Sequence, residues 1–214
     1  NFSSLLFRRE LLDVVGKWDE VLVSGDAEFY SRLKRIYGAA AIVKLPRQML
    51  LAFSLTRDSS LTRSKATHLK SLYYGLRGNY RDSYLHWHSQ LGTHPEQLPF
   101  DPGRRPRRFP IPPKNLPRAK QPEARYDVVV ISDLAMRGGA FVSTLNYIIA
   151  ACKAGKKTAV FHWRRYDLSR DVHLQARLYE ACIDFNVDIL SPGDSVDADV
   201  VLIGYPAILQ HKMD

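Results

Sequence analysis

The sharpest polar feature of the chain is Ser24-Gly25-Asp26-Ala27-Glu28-Phe29-Tyr30, which sets one carboxylate where a loop gives way to a helical pattern and another two residues on. An aspartate at such a junction has two uses. Its oxygen can cap the helix by accepting a backbone amide, with its charge favoured by the helix dipole. Within reach of a hydroxyl, the same carboxylate can remove a proton as a general base. A second feature is the pair Gly138-Gly139, between the apolar run 126–132 and a helical pattern. Glycines there let a ligand approach the backbone, and the helix start offers unpaired amides to an anion. A plain tight turn is the other reading. The segment is not GxGxxG and no acidic ribose ligand follows it, which argues against a dinucleotide.

Other chemical candidates are weaker. Cys152 and Cys182 lie in apolar helical patterns without a second cysteine or histidine at metal-ligand spacing, so they read as buried reduced thiols. Asp197-Ala198-Asp199 spells DxD, yet it leads into the apolar run 200–203 and reads as a polar strand entry. His162, at the end of an expected strand, stands on the edge where α/β sheets bind ligands, but a lone histidine there is more often structural.

The elements that must position these residues fall into two styles. Residues 5–7 read as a short buried strand, 9–15 as a helix closed by Gly16, and 26–37 as an amphipathic helix closed by Gly38 with Asp26 at its N-cap. Residues 40–45 and 49–53 read as strands, followed after Thr62 by a long helix toward Trp87 that Gly75 and Gly78 weaken or kink. Beyond residue 125 the rhythm becomes strand, helix, strand, helix, strand. The β-branched run 126–132 predicts a strand buried on both faces, with helices over 141–154 and 172–185 and strands over 158–162, 188–190 and 200–203. Right-handed crossovers make this a doubly wound, Rossmann-like parallel sheet, so the fold class is α/β.

Nine of the twelve prolines fall between Pro95 and Pro122, among Arg104, Arg105, Arg107 and Arg108. Such a stretch continues neither a helix nor a central strand, so 95–125 reads as a semi-rigid linker between parts 1–94 and 126–214. The net charge of +9 is uneven. Residues 1–100 carry 14 basic and 9 acidic groups, 101–125 carry 8 and 2, and 126–214 carry 9 and 11. The excess is concentrated before residue 126 rather than on one folded basic face with interleaved aromatics, which argues against nucleic acid. No run approaches the length of apolar residues that a spanning helix needs, and the N-terminus lacks a signal-peptide pattern.

Residues 2–62 resemble the acceptor-side part of family 2 glycosyltransferases of the GT-A fold. Four features occur in the family's order: Ser3-Ser4-Leu5-Leu6-Phe7, Arg8-Arg9, Gly16-Lys17-Trp18-Asp19-Glu20, and Gly25-Asp26. Gly25 departs from a glutamate that is common there. Residues 126–207 resemble, more loosely, the start of a GT-B glycosyltransferase, in which a Gly-Gly turn after the first strand faces the cleft between two Rossmann-like domains.

These resemblances imply a bacterial polysaccharide glycosyltransferase of the hexosyltransferase type, with two modules in tandem. Asp26 would be the catalytic base of an inverting transfer from a nucleotide-sugar donor to a glycan acceptor. Trp18 and Asp19 would shape the acceptor pocket, Arg57 would approach the donor diphosphate, and Gly138 and Gly139 would bind substrate in the second module. The donor strands and the DxD ligands of a divalent cation (manganese or magnesium) would precede Asn1, so residues 1–214 alone are expected to bind no metal and to lack transferase activity. The implied location is cytoplasmic, at the inner face of the plasma membrane. The alternative from a different class is a non-catalytic interaction or scaffold module derived from such an enzyme.

Overall fold

The computed structural model describes residues 5–44, 75–117, 124–163 and 173–210. Arg57, the expected strand 49–53 and the expected helical stretch 62–74 lie outside the described residues.

The first part is helical. Helix α1 (Leu11–Val15) ends at Gly16, whose φ of 87° permits the chain to turn. Helix α2 (Gly25–Tyr37) buries Glu28, Phe29, Arg32 and Leu33 and closes at Gly38. Helix α3 (Leu76–Gln90) begins after Gly75, whose φ of 79° is not helical, and runs through Gly78. Neither expected strand in this part forms. Residues 5–7 are irregular, and Ala39–Ala41 make a single 3-10 turn. A strand needs a paired neighbour to satisfy its backbone, and here Leu5 and Phe7 find side-chain partners without one while Leu6 and Val43 stay exposed. Phe7 packs on Trp18 and Phe29 with ring centroids 5.1 and 5.4 Å apart.

The proline-rich segment is largely irregular yet packed. Phe100, Phe109 and Ile111 are buried with Tyr80, Tyr84, Trp87 and Leu91 of the α3 region. Phe100 also joins the backbone of the first part. Its amide donates to the Val15 carbonyl at 3.1 Å, and its carbonyl accepts from Lys17 N at 3.0 Å. The prolines exclude regular structure, but the aromatic residues between them supply the apolar area that fixes the chain to a surface.

The second part is α/β. Strands β1 (Arg125–Ser132), β2 (Thr158–His162), β3 (Asp188–Leu190) and β4 (Asp197–Ile203) form one all-parallel sheet in the order β3-β2-β1-β4. Helices α4 (Gly139–Lys153) and α5 (Ala176–Phe185) connect β1 to β2 and β2 to β3. Val130 and Val160 pack with Phe141, Leu145 and Ile148 of α4 and Leu178 of α5, while Tyr126, Val129, Ala159 and Leu190 make a second cluster. Burial on both sides explains the unbroken β-branched composition of β1. This is a Rossmann-like arrangement. Asp197 and Asp199 sit within β4, and Asp199 pairs with Arg125 at 3.5 Å, as suits a polar strand entry.

Helix α3 also contacts the sheet unit. Asn79 Nδ2 donates to Leu190 O and Ser191 Oγ, both at 3.2 Å, and the His86 and Tyr179 rings stack 5.0 Å apart. Among the described residues, no helix is long and apolar enough to cross a membrane.

Candidate functional site

The segment 18–26 folds into the wall of an open pocket of about 390 Å³, whose lining includes Trp18, Asp19, Ser24, Asp26 and Arg77. Four side chains fix that wall, and each comes from far away in the sequence. Buried Asn115 clamps Val23 through both ends of its amide: its Oδ1 accepts from Val23 N at 3.0 Å and its Nδ2 donates to Val23 O at 3.2 Å. Tyr80 donates its hydroxyl to Asp19 Oδ2 at 2.9 Å, and Arg107 pairs with Asp19 Oδ1. Arg77 Nη1 donates to Ser24 Oγ at 3.0 Å.

Ser24 is the N-cap of α2 in place of Asp26, and it holds a left-handed φ of 67°. A non-glycine residue there costs about 1–2 kcal/mol. Its hydroxyl makes no capping bond and instead accepts from Arg77. Asp26 is therefore the second residue of the helix, exposed on the pocket rim. One of its oxygens accepts the neighbouring Ala27 amide at 2.9 Å. Arg77, within electrostatic range of Asp26, has its pKa lowered by burial, an effect that the Asp26 charge opposes. Gly25 is tightly placed: a Cβ there would lie 3.0 Å from the Asp19 carbonyl oxygen and 3.1 Å from Val21. That closeness accounts for glycine where the resemblance leads one to expect glutamate.

The expected residues thus divide. Trp18, Asp19 and Asp26 come together at one pocket, but Asp19 has both oxygens engaged. Burial raises its pKa, opposed by the Arg107 charge and by hydrogen bonds from Arg107 and Tyr80. It shapes the wall rather than presenting a free acceptor. Trp18 is half-buried and stacked on Phe29 at 4.0 Å.

Behind the pocket, α2 is anchored by charges that sequence reading missed. Glu28, fully buried, pairs with Arg32 at 3.0 Å and with His88 Nε2 at 2.9 Å. Arg32 also donates to Val15 O at 2.6 Å and Lys17 O at 2.8 Å, and lies 4.7 Å from the Phe100 ring centroid. The available signal was the i,i+4 spacing of Glu28 and Arg32, which also describes a surface pair. Arg77, Asn115 and Arg107 carry no local signal at all.

Gly138 and Gly139 occupy the loop after the carboxyl end of β1, at the start of α4. Both are exposed, Gly138 has φ 94°, and a Cβ on either would meet nothing within 4 Å. The sheet order puts β1 between β2 and β4, so the chain leaves β1 toward one side and later returns on the other. Open α/β sheets form their ligand crevice at such a switch point. Across it, Gly204 after β4 lets α4 approach, since a Cβ there would lie 2.6 Å from Thr144 Oγ1. His162 Nδ1 accepts the Leu134 amide at 3.1 Å, so that nitrogen carries no proton and its 3.7 Å approach to Asp133 is not an ion pair through Nδ1. The histidine braces the loop.

Among the described residues, no three His, Cys, Asp or Glu side chains converge to hold a metal ion. The second part is a Rossmann-like α/β unit. Comparison with protein-family models gives no match to the chain, and comparison with curated proteins gives none either.

Proposed function

We propose that this chain is part of a sugar-nucleotide-dependent glycosyltransferase: the acceptor-side end of one module, joined to the Rossmann-like start of a second. One observation carries the reading. Asp26 stands exposed at a helix start on the rim of a pocket whose other walls are held by distant contacts, with an arginine beside it. A carboxylate so fixed suits removal of a proton from an acceptor hydroxyl while that oxygen attacks an anomeric carbon. Attack from behind the leaving diphosphate inverts the configuration.

The chain's own part is to receive the acceptor. Trp18 lines the pocket, Arg77 holds Ser24 and so the start of α2, and Asp26 takes the proton. Gly138 and Gly139, exposed at the switch point, would admit a sugar or phosphate of a second substrate. The proposed setting is the cytoplasmic side of a membrane that carries the growing glycan. The reading is tested by incubating the complete protein with nucleotide sugars and glycan acceptors and following the new anomeric signal by NMR. It expects a transferred sugar of inverted configuration; retention of configuration would reject Asp26 as the base.

A further inference from the structure

Between Phe100 and Phe109 the chain makes the excursion Asp101-Pro102-Gly103-Arg104-Arg105-Pro106-Arg107-Arg108. Both phenylalanines are buried. Their rings stack 5.9 Å apart and lie 5.2 and 5.3 Å from Trp87. At the tip, Asp101 Oδ1 accepts Gly103 N at 2.9 Å and Asp101 O accepts Arg104 N at 3.2 Å. The turn is thus a fixed platform.

Its four arginines are used unequally. Arg107 faces inward, paired with Asp19 and donating to Pro102 O at 3.1 Å. Arg105 donates only to the backbone carbonyls of Pro102 and Arg104. Arg104 and Arg108 form no ion pair among the described residues, and burial followed by the Arg104 charge lowers the pKa of Arg108, opposed by Glu96. Like charges fixed together raise the free energy of the unbound protein and reward a polyanion that neutralises them.

Two observations select the polyanion. First, the platform is joined to the pocket: Arg107 holds Asp19, which lines the pocket with Arg77. A flexible anionic chain can run from the turn into a concavity, whereas a flat bilayer cannot. Second, both aromatic rings flanking the turn are buried, which leaves it no stacking surface for unpaired bases. We infer that the 101–109 turn forms a cationic track, leading to the adjoining pocket, for an acidic polysaccharide, a glycan with carboxylates at regular intervals, whose terminal hydroxyl reaches Asp26. The direction of the glycan rests on the proposed function; the binding does not.

The test is titration of the protein with sized polygalacturonate, with dextran as the neutral control. Binding is expected to weaken with salt and to be absent for dextran. Arg104→Gln, Arg105→Gln and Arg108→Gln together should weaken it at least tenfold and reduce the log–log salt slope by roughly two. The corresponding triple Lys variant should bind within threefold of the original, which separates charge from folding. Unchanged binding by the Gln variant, equal binding of dextran, or tighter arginine-dependent binding of phosphatidylglycerol vesicles or single-stranded DNA would overturn the assignment. Asp26→Asn, which removes one negative charge facing the glycan, should bind polygalacturonate at least as tightly as the parent. Normal transfer by that variant would reject the base while leaving the track intact.

Discussion

Removing Glu28 should cost the fold far more than its unremarkable place in the sequence suggests. Glu28 and Arg32 have fully buried side chains, and His88 is 3% exposed at its side chain. Truncation in Glu28→Ala deletes charge-assisted hydrogen bonds of 3.0 and 2.9 Å. It leaves the guanidinium among Phe29, Trp87 and Phe100, with the Val15 and Lys17 carbonyls as its remaining acceptors. Breaking a buried pair by removing one partner costs about 3–5 kcal/mol, mostly from the uncompensated charge left behind. Glu28→Gln keeps the shape and one acceptor for Arg32, so its cost should be about 1–3 kcal/mol. Urea unfolding measures both, with the midpoint shifting at unchanged slope. A loss below about 1 kcal/mol for Glu28→Ala would refute the view that this network anchors α2 and the Asp26 it presents.

Three further outcomes follow from particular contacts. Gly16→Ala would place a Cβ 2.1 Å from Phe100 N and O, whereas Gly38, at a similar positive φ, has open space; both should lose about 1–3 kcal/mol to backbone strain, and Gly16→Ala at least about 2 kcal/mol more in urea unfolding. Ser24→Gly should be more stable than Ser24→Ala by about 1 kcal/mol, since both lose the Arg77 bond but only glycine relieves the φ of 67°; equal midpoints would show that Ser24 is not strained. Asp188, whose pKa is raised by burial against the Tyr126 hydrogen bond and Lys157, favours the fold when protonated. Its contribution is full below the ordinary aspartate pKa of about 3.9 and is lost as pH rises through the higher folded value, so Asp188→Asn should gain stability relative to the parent on going from pH 4 to pH 7. A relative loss over that range would reverse the sign.

The sheet was legible and the site only in part. β1 announced itself because burial on both faces demands continuous apolar, β-branched residues, a pattern that local sequence carries in full. Helix α2 was legible from its apolar spacing, although its start was placed at Asp26 when Ser24 caps it. The strands expected in residues 5–7 and 40–45 failed because an apolar run guarantees neither burial nor a paired strand: Leu6 and Val43 are exposed. Leu5 and Phe7 are covered by side chains of α1, α2 and Trp18. The packing of the proline-rich linker was illegible for a related reason. Proline content excludes regular hydrogen bonding but does not prevent packing, and Phe100, Phe109, Ile111 and Asn115 make 95–117 part of the site's support. Arg77, Tyr80 and Arg107 reach the pocket across separations of 53 to 88 residues, which local spacing does not encode.

The most direct test of the central claim is steady-state transfer by the complete protein carrying Asp26→Asn. Asparagine keeps an oxygen for the Ala27 amide but cannot take the hydroxyl proton, so kcat should fall by roughly 10² or more while donor KM and the unfolding midpoint stay near those of the parent. Turnover within a few-fold of the parent, in a variant shown to be folded, would contradict the assignment of Asp26 as the base and with it the glycosyl-transfer reading of this pocket.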